Sequence, residues 1–157
     1  MVVLIYYIIL SMVLYSNDNN YDDLKYVSIY EGLEPAYEKI EGRDGNGDGT
    51  IYQRYYVEDD EKLNNIISLV QKKKGWRKGI IDEDLYNLLD YGSIEKSIVG
   101  KECYYYFKDR FDYNYEVKDV YDYKESIKRN SDWFLRNYTI QILDVENRNL
   151  YLFIFDS

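Results

Sequence analysis

The chain has 157 residues, enough for one domain with its own core, and its 29 acidic against 20 basic side chains give a net charge of −9. That excess repels phosphate backbones and anionic membrane surfaces, so no nucleic-acid partner is expected. Histidine is absent, which removes Ser-His and Cys-His catalysis, histidine metal ligation and a histidine pH switch.

The first boundary follows the run Val2 to Tyr15, VVLIYYIILSMVLY, with no charged side chain before Asp18. The run is shorter than the ~20 residues a membrane-crossing helix needs, but it fits the apolar core of an export signal followed by a polar stretch. Residues 1–16 are therefore expected to be an export-signal-like or anchor segment, and residues 17–157 a single domain. The expected location is secreted or attached to the cell envelope, with membrane contact only through an uncleaved 1–16. It becomes cytoplasmic if that segment is core. The run resembles the front of bacterial lipoproteins, with Ser16-Asn17 standing where that family has its cysteine.

Tyr26 to Tyr30 reads as a strand that breaks at Gly32 and Pro35, and Thr50 to Val57, β-branched and aromatic, reads as another. A helix follows: Asp59 caps it, Leu63, Ile66, Ile67 and Val70 form one apolar stripe, and Lys72 to Lys74 precede Gly75 at its end. A shorter helix is expected from Asp82 to Asp90. Glu102 to Phe107 reads as a strand, and Tyr138 to Asp144 with Asn149 to Phe155 as a hairpin joined by the polar turn 145–148. From Asp109 to Asn137 neither period dominates. Together these elements predict an α+β fold: a mainly antiparallel sheet with two helices packed on one face and a C-terminal β-hairpin.

Candidate chemistry falls in three places. Asp44-Gly45-Asn46-Gly47-Asp48-Gly49 is built of dipeptides that favour a tight turn between strands. It also resembles the calcium loop of EF-hands and dockerin-type repeats, which implies Asp44, Asn46, Asp48 and the Thr50 carbonyl as ligands. Tyr55 then occupies the place of the bidentate acid. Second, Lys72 to Lys78 gathers five cations around Trp76 on an otherwise acidic chain. Such a group grips an acidic partner, or else caps a helix while Arg77 and Lys78 pair with Asp82, Glu83 and Asp84. Third, Asp109, Asp112, Glu116, Asp119 and Asp122 lie among tyrosines, and a pair of them across a cleft would suit glycoside hydrolysis. Acids interleaved with cations more commonly form a solvated face. The lone Cys103 rules out an internal disulfide and reads as a buried structural thiol.

Tyrosine, at 21 residues, is the compositional anomaly. Compositional drift and core packing explain it first. A recognition surface explains it second, since each ring buries apolar area while its hydroxyl bonds a partner. The expected function is a non-catalytic binding module for a protein, glycan or cell-envelope partner, acting through Lys74, Trp76, Arg77, Tyr104, Tyr106, Tyr113 and Tyr115. A calcium-binding module is the second expectation and a carboxylate hydrolase the third.

Overall fold

A computed structural model describes residues 27–41, 49–89, 96–109, 122–129 and 137–156. Residues 1–16 lie outside this set, as do Asp44, Asn46, Asp48, Tyr113 and Tyr115. The chain divides into two units, Met1–Gly32 and Leu33–Ser157. Of the first, the described part is a helical turn, α1 (Val27–Tyr30), with Ile29 buried. The strand expected over Tyr26 to Tyr30 is thus helical from Val27, and the strand forms later.

In the second unit that strand is β1 (Pro35–Glu41), which begins on the proline itself. A ring-locked φ and a missing N–H are tolerated at the first residue of an edge strand, where one side of the backbone has no strand to bond. The other strands are β2 (Gly49–Tyr56), β3 (Trp76–Ile80), β4 (Glu102–Asp109), β5 (Asn137–Asp144) and β6 (Asn149–Asp156). They form one antiparallel sheet in the order β1-β2-β6-β5-β4-β3. The helices are α2 (Asp60–Lys72), α3 (Glu83–Asn87) and α4 (Tyr123–Arg129), with a 3-10 turn at Lys96–Ile98. Among the described residues no helix is long and apolar enough to cross a membrane.

Register assigns side chains to the two faces, because successive residues of a strand alternate. On one face Tyr52, Phe153, Ile140 and Phe107 stand in a row across β2, β6, β5 and β4. Leu85, Leu89, Ile98 and Tyr123 belong to the same buried cluster, so α3 and the 3-10 turn cover this face. The α4 helix joins it through Tyr123 and the partly buried Ile127. The Ser126 hydroxyl, fully buried, also donates to the Asp109 carboxylate at the end of β4.

The opposite face carries the row Gln53, Leu152, Gln141, Tyr106 and Trp76, and beside it Tyr55, Leu150, Leu143, Tyr104 and Lys78. Here α2 makes its contact, with Gln71 Nε2 donating to the Tyr104 hydroxyl at 2.7 Å. Its buried stripe is Leu63, Ile66 and Val70, each worth about 1.5–3 kcal/mol over an exposed side chain. The helices expected on one face thus divide between two. Both faces of β4 are covered, so its run Cys103 to Phe107 is apolar or aromatic at every position instead of alternating.

Candidate binding site

The α2 helix starts where Asp59 accepts a hydrogen bond from the Lys62 N–H at 2.7 Å, with Asp60 and Glu61 in its first turn. It ends as the Lys73 N–H reaches the Leu69 carbonyl, and Gly75, at φ +89°, reverses the chain into β3. The cations read as a helix terminus therefore continue into an edge strand. This brings together two segments far apart in sequence. Trp76 pairs with Tyr106, their rings 6.0 Å apart, and Lys78 pairs with Tyr104.

The margin of the sheet then forms a cleft of about 370 Å³ lined by Ile67, Lys78, Glu102, Tyr104, Val145 and Glu146. One wall is α2, the floor is β3 and β4, and the other wall is the turn joining β5 to β6. Lys78 Nζ lies 2.7 Å from Glu102 and 6.0 Å from the centre of the Tyr104 ring. The hydrogen bond from Lys78 to Glu102 holds the ammonium charged to higher pH than an isolated lysine. Asp144 fixes the turn by accepting from the Asn147 N–H at 3.1 Å and from its side-chain amide at 2.7 Å. Arg148, at φ +57°, then bonds the Glu58 carbonyl at 2.6 Å and pairs with Asp60, joining the turn to the start of α2. Both walls of the cleft are therefore tied to each other.

Of the expected partner-binding residues, Tyr104 lines the cleft, and Tyr106 is fully buried beneath Trp76 and acts as support. Trp76 is half-buried, and its indole Nε1 has no hydrogen-bond partner among the described residues. Lys74 is exposed in the turn before β3. Arg77 faces the other side, opposite Tyr105, and binds Asp122 at 2.8 Å. The expected pairing of Arg77 and Lys78 with Asp82, Glu83 and Asp84 is replaced by Asp122 and Glu102. The strand alternation sends the two cations to opposite faces.

Asp82 instead sits at a junction of its own. It caps α3 through the Leu85 N–H at 3.0 Å, accepts from the Tyr123 hydroxyl at 2.7 Å and pairs with Lys124 at 2.8 Å. Burial raises the Asp82 pKa, but the bonds from Lys124, Leu85 and Tyr123 outweigh it and hold the carboxyl below its usual range. Asp122 is lowered as well, first by Arg77.

The described acids of the third region thus have structural partners: Asp109 takes Ser126, and Asp122 takes Arg77 and the N-terminus of α4. Asp112, Glu116 and Asp119 lie outside the described residues. Thr50, the described member of the calcium set, sits in β2 between Glu41 and Phe155. Among the described residues no group of three or more acids or cysteines is placed to hold a metal ion. The Cys103 thiol is buried on the face opposite Tyr104, and burial pushes its pKa up to about 12.

Tyr52, Tyr55, Tyr106, Tyr123, Tyr138 and Tyr151 are buried, while Tyr37 and Tyr56 are the tyrosines exposed among the described residues. Of the cleft residues, Tyr104 alone is among the contacts expected from the sequence; Lys78 is marked only as part of the basic run, and Ile67, Glu102, Val145 and Glu146 are not selected. Ile67 was visible as part of the helix stripe, but nothing local marks a turn residue as a wall. No protein-family model, curated protein or solved structure matches this chain.

Proposed function

We propose that this chain is a non-catalytic binding module and that its ligand-contacting surface is the cleft between α2, β3–β4 and the β5–β6 turn. The observation that carries the reading is the pairing of Lys78 with Tyr104, which joins the basic segment to the tyrosine segment at one open site. The rim combines aliphatic, aromatic, cationic and anionic groups on a braced scaffold, the usual make-up of a recognition site. A strand-edge mode of binding has less support. The β1 edge carries Pro35, Glu38, Lys39 and Glu41, and β3 is five residues long with Arg77 and Lys78 in it, features that discourage strand addition.

Within this reading the domain is an α+β layer whose C-terminal hairpin serves as a wall of the site, and export through residues 1–16 places the module outside the cytoplasm. The test is retention of the purified protein on isolated cell-envelope material against a soluble extract. The native chain is retained, and a Lys78→Ala, Tyr104→Ala variant with an unchanged circular dichroism spectrum is not. Equal retention of the two proteins removes the cleft from the binding surface.

A further inference from the structure

The ligand class of the cleft follows from its donors and acceptors, and this step rests on the reading just given. The Glu102 and Glu146 carboxylates offer acceptors alone, the Lys78 ammonium offers the donors left beyond its bond to Glu102, and the Tyr104 hydroxyl, which accepts from Gln71, offers its donor. Two carboxylates against one ammonium leave the rim negative, which disfavours phosphate, sulfate and acidic peptides. The cleft also lies over a face of the sheet, between a helix and a turn, so an extended polypeptide cannot reach it by adding to the β3 backbone.

A group that donates and accepts at each of several neighbouring positions satisfies this rim best, and a hydroxyl does both. Adjacent hydroxyls on a ring accept from Lys78 while donating to Glu102 or Glu146. The C–H surface of the same ring packs on Ile67, Tyr104 and Val145. The volume, about 370 Å³, falls near the small end of the ~300–1,000 Å³ typical of small-molecule sites. We propose that the cleft binds a neutral saccharide, a short segment of a glycan chain, through Lys78, Glu102, Glu146 and Tyr104.

The experiment titrates the ¹⁵N-labelled full chain with neutral cello-, malto- and N-acetylchito-oligosaccharides at millimolar concentration. At least one series shifts the backbone amides of Lys78, Glu102, Tyr104 and Glu146. Tyr104→Ala weakens that binding about tenfold, the upper range for loss of one aromatic contact. Because Tyr104 also accepts from Gln71, Glu146→Gln is the second variant; it lies on the turn and weakens binding with the spectrum otherwise unchanged. If no neutral saccharide shifts these amides, the assignment is overturned. A polypeptide that perturbs the same amides in their place overturns the saccharide while leaving the binding module standing. A ligand that perturbs only amides elsewhere overturns both.

Discussion

Removing Asp82 tests whether the junction of α3, α4 and β3 holds the domain together as its geometry implies. In Asp82→Ala the Leu85 N–H loses its cap, which costs about 1 kcal/mol. The buried Tyr123 ring loses the acceptor for its hydroxyl, which costs about 1 kcal/mol more. The Lys124 contact is solvent-exposed and is left out of the sum. A loss of about 2 kcal/mol lowers the melting temperature of a chain this long by about 4–8 °C. Asp82→Asn keeps a capping acceptor and a partner for Tyr123, and stays within about 0.5 kcal/mol of the native protein. Calorimetry at neutral pH separates the two variants, and a Tyr123→Phe background should reduce the Ala–Asn difference. The pH dependence follows from the same bonds. Asp82 and Asp122 have folded pKa values below the ordinary 3.8, so their contribution is complete above that value and is lost as pH falls through the lowered ones. Asp82→Asn therefore flattens the acid limb of the stability curve below about pH 4. Equal melting temperatures for the Ala and Asn variants, or an unchanged acid limb, would show that Asp82 does not hold this junction.

The Cys103 thiol, buried and raised to about 12, should resist a disulfide reagent at pH 8 in the native protein and react at once in denaturant; rapid native labelling contradicts its placement. Residues 42–48 connect two antiparallel neighbours, β1 and β2, and the turn reading predicts equal melting temperatures in millimolar calcium and in chelator. A rise with calcium of a few degrees would favour the calcium-binding module instead, since a bound ion stabilises in proportion to occupancy. Export predicts that mass spectrometry of the protein from its own cells finds a chain lacking residues 1–16, whereas an intact Met1 in soluble cytoplasmic protein reopens the class of partner.

The legible parts of the fold are those where a local signal and the tertiary environment agree. The α2 stripe and its Asp59 cap are one such case, and the β-branched run at β2 is another. β3 was not legible. Trp-Arg-Lys-Gly-Ile lacks the alternation of a half-buried strand because it lies on the sheet edge, with cations on both faces and Gly79 within it. Val27 to Tyr30 shows the converse error, in which β-prone residues form a helical turn and the strand waits for Pro35. The two-sided sheet is foreshadowed in Cys103 to Phe107, an unbroken run that only burial on both faces explains. Buried Gln53, Gln141 and Lys108 hide the second face elsewhere, because polar side chains at core positions mimic a solvated surface. As to the site, sequence reasoning selected Tyr104 and the cations around Trp76 without a reason to join them. The strand register supplied that reason, and it also showed that Tyr106 belongs to the core.

The central claim is that ligand meets this protein at the α2/β3–β4 cleft, and a hydrogen-exchange footprint of the full chain bound to retained envelope material tests it most directly. Added protection is expected at residues 67–80, 102–104 and 145–146, with the β1–β2 margin unchanged. Protection centred on β1 and β2, with the cleft exchanging as in the free protein, would contradict it.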